Sequence, residues 1–467
     1  MKSLSEWLAI GLLALTLSGN VAVAETDATL ISENQALALF FQRNLNLLLA
    51  QYNIDSALAN EVIASAIPNP SFNVEIFELS KNSNQILSSH TPSGGTINTG
   101  GSIGCTPSSS LAPGASHNCG AGEWYTFSQL VEMAGKRGLR MQSANLATQA
   151  AESDFRDAVR IFSNMVRGSY YALLQAQKNR WLAQDIVNFY QEILQSNRLK
   201  AQAGAIADSD LLKMEIEALQ ASSDLDNAEA AVEQAQAGLA VMLNWPDKSM
   251  KFLTDEQWPP FKNLGQDLSA DKLLNKALAL RPDLQGDKLR ADKAEKDLAR
   301  ARRLSIPDIT VNIGEARDPG NTVLNTYFVG VSIPLPLFYQ YQGEKSQSAV
   351  TLNQTRLAAE QTELQVRNDL ESALAAWKSA NMVMKIYENK LVTQATQVRE
   401  RLALAYQRGA TTVLDFIQAQ RDYKKVMLEY YTAGVNRVNA YYNLAAAIGV
   451  EPNAEFAHNA DLPVEAE

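Results

Sequence analysis

The residues of this sequence best placed to do chemistry gather in two short segments. They are Ala203-Gly204-Ala205-Ile206-Ala207-Asp208-Ser209-Asp210-Leu211 and Arg408-Gly409-Ala410-Thr411-Thr412-Val413-Leu414-Asp415-Phe416, which align with an aspartate six residues after each glycine. Glycine permits a sharp reversal between antiparallel helices, and Asp208, Asp210, Thr412 or Asp415 can cap the helix that follows. Read from residue types alone, this is turn-and-cap chemistry rather than catalysis.

No other grouping reaches further. His90, His117 and His458 fall in loop or tail, and no Ser/His/Asp or Cys/His set can be assembled, so no acid, base, nucleophile and oxyanion donor come together and no enzyme is expected. Gly135-Lys136-Arg137-Gly138 lacks the strand-loop-Lys-Ser/Thr grammar of a phosphate cradle and reads as an elbow between a strand and a helix. Met165, Met382, Met384 and Met427 sit at helical positions where packing is the default. No cofactor and no metal site is expected.

The first residues carry Lys2, an apolar run from Trp7 to Leu17 and small residues ending in Ala22-Val23-Ala24, the pattern of a secretory signal peptide over 1–24. Asn20 stands where a lipoprotein would need a cysteine, so no lipid anchor is expected. The net charge of −10 argues against a nucleic-acid partner. Two cysteines in an exported chain, Cys105 and Cys119, point to one disulfide tying down the Gly/Ser/Thr/Pro-rich stretch 80–122. A metal site shared with His90 and His117 is the competing use, but the spacing matches no zinc pattern.

The elements around these residues are written twice. Ala36-Leu37-Ala38-Leu39 through Ile67-Pro68 and then Lys200 to Leu212 returns as Ala277-Leu278-Ala279-Leu280 through Ile306-Pro307 and then Tyr406 to Ile417. The first repeat is placed at 25–265 and the second at 266–450, with 451–467 as a flexible tail. Each repeat reads as helix, two alternating strands, a very long helix, a glycine turn and a further helix. In the first, residues 33–66 read as one helix, the strands as about 70–79 and 123–132 flanking the loop 80–122, and the long helix as about 138–202. In the second, the strands read as about 307–316 and 325–334, and the long helix as about 343–408.

From Pro68 to Gly204 is 136 residues and from Pro307 to Gly409 is 102, and the excess falls mostly in the first loop, as expected of a solvent-facing tip. Each long helix would measure roughly 100 Å. Heptad spacing runs through Val159, Val166, Leu173, Val187 and Leu194, and through Leu370, Trp377, Met384, Leu391, Val398 and Ala405 without a gap, predicting side-by-side coiled coils.

No stretch after the leader supplies the 18 or so apolar residues of a membrane-spanning helix, whereas strands of about ten residues with one apolar face suit a tilted span. Backbone groups in lipid must be paired internally, so such a sheet has to close. Four strands cannot enclose a lumen, and several copies of the chain are therefore expected to share one barrel. Hairpins capping a soluble coiled coil are the bland alternative.

The sequence resembles the TolC family of outer-membrane efflux proteins, and more closely its CzcC-like heavy-metal branch. The residues that carry the resemblance are Ala277 to Leu284 (Ala-Leu-x-x-Arg-Pro-x-Leu), Ile306-Pro307, Gly135-Lys136-Arg137, Ser332-Ile333-Pro334-Leu335-Pro336-Leu337-Phe338 and the twin turns at Gly204 and Gly409. The first repeat has Asn44-Leu45-Asn46-Leu47 where the second has Arg281-Pro282-Asp283-Leu284, expected as drift inside a structural helix. The resemblance implies a mainly α fold with a small β part: a homotrimer whose twelve strands form one outer-membrane barrel, continued by a helical tunnel into the periplasm. It implies a passive exit duct, joined to a periplasmic adaptor and an inner-membrane resistance-nodulation-division pump and carrying heavy-metal cations. Drug efflux or type I protein secretion is the alternative within that class, and a non-porous periplasmic coiled-coil scaffold the alternative outside it.

For the twin turns, the resemblance implies a periplasmic gate or adaptor contact made of Gly204, Asp208, Asp210, Tyr406, Arg408, Gly409, Thr411, Asp415 and Gln418. In that picture Asp210 bonds Tyr406. Thr411 replaces a family arginine and Gln418 a family acid, leaving a weaker, hydrogen-bonded latch.

Overall fold

The computed structural model describes residues 29–77, 122–245, 251–255, 257–259, 261, 269–317 and 325–450. The expected leader, the tail 451–467 and both cysteines lie outside the described residues. The chain order is β1 (Thr29–Ile31), α1 (Glu33–Arg43), α2 (Leu45–Ser65), β2 (Ser71–Phe77), β3 (Gly122–Val131), α3 (Lys136–Gln202), α4 (Asp208–Met242), β4 (Phe252–Thr254), α5 (Ala270–Leu280), α6 (Pro282–Arg303), β5 (Ile309–Arg317), β6 (Asn325–Ser332), α7 (Gln342–Ile386), a π turn (Tyr387–Leu391), α8 (Val392–Gln407) and α9 (Val413–Ile448). Two compact units interleave along it, one from Gln51–Phe155 and Pro282–Leu364, the other from the rest of the chain.

The first unit carries the sheet. Period-two alternation in all four strands gives the antiparallel order β2-β3-β5-β6, with β2 and β6 as its two edges. The register sets Phe72, Phe127, Ile313 and Val329 in one row, and Gln129, Val311 and Val331 in another row on the same face. The opposite face carries Ser71, Asn73, Thr126, Ser128, Asn312, Gly314, Gly330 and Ser332. Gly314 is required there, because a Cβ would come within 2.4 Å of the Phe328 ring.

Below the sheet, the Gly135 region is an elbow, as the sequence predicts. Ala134 and Gly135 have φ of 58° and 66°, and Lys136 donates to the Ile306 carbonyl at 2.7 Å and pairs with Asp308 at 2.8 Å. Arg137 and Arg140 donate to the carbonyls of Ser65 and Ala64 at 2.8 and 2.9 Å, so basic side chains satisfy the last carbonyls of α2.

The second unit holds most of the helical layers. Val166, Leu173, Val187 and Leu194 are buried in it, as the heptad reading of α3 requires. The reading of 33–66 as one helix needs correction: at Asn44 the backbone is extended (φ −72°, ψ 120°), and the side chain of Asn44 accepts from the backbone of Asn46 and Leu47 to start α2. The same extended break occurs at Arg281, before Pro282. Asn44 and Arg281 are therefore matched breaks, not drift inside a helix. Asn244 donates to the Arg43 carbonyl at the first break, and Gly449 lies against the Arg281 backbone at the second, each a left-handed residue closing the helix before it.

The unbroken heptad of the second long helix also needs correction. Leu370 and Met384 are buried, but beyond the π turn Val398 is exposed, and the inward positions are Arg399, Ala403 and Tyr406. A π turn winds in one extra residue, which advances the inward face by one position. Near the end of the first repeat, Phe252–Thr254 forms β4, which pairs in parallel with β1. The buried Gln177 side chain holds that strand through Phe252 and Thr254.

Glu33, at the start of α1, lies beside this strand pair. Its carboxylate accepts from Arg167 at 2.9 Å, Tyr171 at 2.6 Å and Tyr442 at 2.7 Å. Burial, together with the Glu33 charge, pushes both phenols well above their ordinary range, so they stay protonated donors.

Candidate functional site

Both glycine turns lie in the second unit and are built alike. Gly204 and Gly409 have φ of 68° and 73°; Ala205 N–H donates to the Lys200 carbonyl and Ala410 N–H to the Ala405 carbonyl, each at 2.8 Å. This is the closing pattern of a helix that ends on a left-handed residue. Nothing lies within 4 Å of where a Cβ would sit on either glycine, so backbone conformation alone demands glycine there.

The helices that leave the turns start differently. Thr412 caps α9, its Oγ1 accepting from Asp415 N–H at 3.1 Å, and the Asp415 carboxylate accepts from Thr412 Oγ1 at 2.6 Å and Thr411 Oγ1 at 3.1 Å. Those hydroxyls hold the Asp415 carboxyl below its ordinary value. At α4 the cap position is Ala207, with no side-chain bond. Asp208 and Asp210 therefore act in the first turn of α4 as charges favoured by the helix dipole, not as caps.

The expected bond between Asp210 and Tyr406 is not made within the chain. Asp210 pairs with Lys213 at 3.1 Å, one turn along its own helix. The Tyr406 hydroxyl points inward to Met214 Sδ at 3.6 Å, where the Asn197 amide also donates. Met214 is fully buried, and the Tyr406 and Phe416 rings stack with centroids 5.0 Å apart. Burial raises the Tyr406 phenol above its ordinary value; Asp210 adds to the shift and the Asn197 hydrogen bond opposes it. Tyr406 is thus part of a packed core with Tyr190, Ile193, Leu194, Val413 and Ile417.

Of the other expected members, Gln418 donates to Asp422 at 2.8 Å along α9. Arg408 closes α8 through its backbone and is itself exposed, while Lys200 reaches across to the Gln407 carbonyl at 3.4 Å. The sequence reading missed Asn197, Met214 and Arg399. Asn197 left a trace, a polar residue three positions after Leu194 on an apolar stripe. Arg399 fills the phase created by the π turn, pairing with Asp185 at 3.0 Å and lying over the Phe189 and Tyr423 rings. Further from the turns, Glu217 pairs with Arg421 and Asp224 with Lys424, tying α4 to α9.

Among the described residues, no group of His, Cys, Asp and Glu could hold a metal ion, and no helix is long and apolar enough to cross a membrane. The site can pack, pair charges and exchange hydrogen bonds.

Comparisons with known proteins agree with this architecture. The chain is 24% identical to the cobalt-zinc-cadmium resistance protein CzcC of Cupriavidus metallidurans over 448 residues, covering 91% of this chain and 94% of that protein. Its fold is similar to that of CusC (TM-score 0.70, 18% identity, 90% of this chain and 92% of that one). It is likewise similar to VceC of Vibrio cholerae (TM-score 0.71, 16% identity, 90% and 96%) and to the CmeC channel of Campylobacter jejuni (0.70, 16%, 92% and 88%). The family described as outer membrane efflux protein matches residues 34–244 and 273–450. With its paired strands, long helices and twin glycine turns, this chain belongs to the outer membrane efflux protein family.

Proposed function

We propose that the protein is the outer-membrane exit duct of a tripartite efflux system, passively conducting metal cations delivered by a periplasmic adaptor and an inner-membrane pump. The observation that carries this reading is the sheet. One face exposes Phe72, Ile76, Tyr327, Val329 and Val331, with Val329 76% exposed, while the other carries Ser71, Asn73, Thr126, Ser128, Asn312 and Ser332, with Trp124 and Phe328 packed together at the end away from the helices, and among the described residues β2 and β6 are unpaired edges. An apolar face suits lipid and a polar one a water-filled lumen, and open edges in lipid are excluded by the cost of unpaired backbone groups. Three copies supply twelve strands and remove every edge.

At the end of the sheet away from the helices, the outward rows finish in Glu123, Tyr125, Glu315 and Arg317. Tyr125 donates to Glu123 at 2.8 Å and Arg317 pairs with Glu315 at 2.9 Å, a polar rim suited to the headgroup level. Metal cargo is favoured by the likeness to a cobalt-zinc-cadmium resistance protein. The twin turns serve as the periplasmic end, where Gly204, Asp208, Asp210, Tyr406, Arg408, Gly409, Thr411, Asp415 and Gln418 form the gate or adaptor contact.

Purified protein should run as a heat-modifiable trimer from outer-membrane fractions and conduct in planar lipid bilayers. Its deletion should lower tolerance to cobalt, zinc or cadmium salts. A protein extracted without detergent that gives no conductance would overturn the duct, and unchanged metal tolerance would overturn the cargo.

A further inference from the structure

A polar stripe runs along α9 at positions that packing does not explain. Glu429, Thr432, Asn436, Asn439 and Asn443 recur at alternating intervals of three and four, one face of the helix over roughly 21 Å, and only the first is charged. Solvated helix faces are ordinarily written in Lys, Glu and Arg, and asparagine is a poorer helix former than any of these. Three successive asparagines on that face, none of them at a cap, therefore need another reason.

The stripe forms one wall of a groove of about 760 Å³ between α9 and α7, whose α7 side is small, with Ala376, Ser379 and Ala380. Tyr387, in the π turn, donates to the Glu429 carboxylate at 3.0 Å and holds it at one end. At the other end Asn164 of α3 donates to the side-chain oxygen of Asn443 at 2.6 Å, and Asn436 and Asn439 lie between on the groove wall. The far side of the helix pair is already covered. Gly434 and Tyr441 stand about 200° round α9 from Asn436 and Asn443, and there Trp258 seats on Gly434 while Phe261 packs on Trp377 and Tyr441. A helical tunnel has room for that added layer only on its outside, which leaves the groove facing the bore.

We propose that this groove is a transit site, where a divalent cation pauses at the tunnel wall with its water shell intact. The proposal rests on the reading of the chain as an exit duct. An ion with six waters occupies roughly 180 Å³ at about 30 Å³ each, so the groove takes it whole. Amide and hydroxyl oxygens accept hydrogen bonds from those waters, and Glu429 adds the one negative charge. No protein ligand replaces a water, in keeping with the lack, among the described residues, of any His, Cys, Asp and Glu group that could hold a bare ion. Neutral acceptors suit a duct, because a wall that bound its cargo tightly would not release it.

The test uses Mn²⁺ as the probe, on full-length protein whose alanine methyl groups carry ¹³C. Mn²⁺ should broaden the signals of Ala376, Ala380, Ala433 and Ala440, which border the groove, before those of Ala301 and Ala358 elsewhere on α6 and α7. Asn436→Leu/Asn439→Leu should raise the half-saturating Mn²⁺ concentration about threefold or more, and Asn436→Gln/Asn439→Gln should restore it. Asn436→Asp should lower it about tenfold, the pull of one carboxylate on a doubly charged ion roughly 6 Å away across water. Unchanged affinity in a leucine variant that keeps its thermal midpoint, or equal broadening of all these alanines, overturns the site. Where the leucine variant does not fold, unchanged affinity in Asn436→Asp overturns it alone. The same preparation is read in planar bilayers. Conductance without groove broadening removes the site and keeps the duct, whereas broadening in a protein that does not conduct removes the duct and, with it, the transit role.

Discussion

Whether Asp210 and Tyr406 form a latch can be decided by a double-mutant cycle at the tip. The Tyr406 hydroxyl donates to a thioether at 3.6 Å, and Asp210 pairs with Lys213. Tyr406→Phe therefore removes a weak hydrogen bond and should cost about 0.5 to 1 kcal/mol, at the low end for neutral hydrogen bonds. Asp210→Ala removes an exposed pair one turn apart and should cost about 0.5 kcal/mol or less. A direct phenol-carboxylate bond would instead be worth about 1.5 to 3 kcal/mol. The coupling energy is thus expected below about 0.5 kcal/mol, against 1 kcal/mol or more for a latched pair. Amide exchange of residues 197–215 and 404–418 in the assembled protein reads these differences as local opening free energies. Coupling above about 1 kcal/mol would refute the inward placement of the phenol and restore the latch.

Gly204→Ala and Gly409→Ala should each destabilise their turn by about 1 kcal/mol, from the left-handed backbone alone, since a methyl group meets nothing within 4 Å. Faster local amide exchange, additive in the double variant, checks this. Glu33→Ala removes the carboxylate facing Arg167, whose side chain is 3% exposed, and should cost about 3 kcal/mol, measured as a lowered thermal midpoint or faster proteolysis at residues 29–43. Because the folded-state value of Asp415 lies below its ordinary 3.8, its contribution is present above that pH and is lost as pH falls through the folded value. Exchange at the start of α9 should therefore accelerate only in that acid range, and Asp415→Asn should abolish the acceleration.

The repeat, the strand alternation and the glycine turns were legible because each is a local pattern: β5 and β6 run over Ile309–Arg317 and Asn325–Ser332, close to the expected 307–316 and 325–334. The expected strand 70–79 begins at Ser71, and its last two positions lie outside the described residues. Asn44 was misread because a capping side chain in mid-pattern looks like ordinary helix until the extended backbone is seen. The pairing of β1 with β4 joins segments more than 200 residues apart, and no periodicity announces a three-residue parallel strand. At the tip, residue types identified the turns but not their partners. The orientation of Tyr406 depends on Met214 and Asn197, which lie on other helices and whose donor and acceptor strengths only packing reveals.

The π turn at Tyr387–Leu391 has a bearing on recombination between relatives. It works like a spline in a drive shaft: every side chain from Val392 to Gln407 is indexed one step ahead of where a regular helix would set it. A chimera joined upstream or downstream of the five-residue segment keeps both portions correctly clocked. A crossover inside it, with a donor that lacks the extra residue, would misalign Arg399 with its aromatic seat and carry the error down to Gly409.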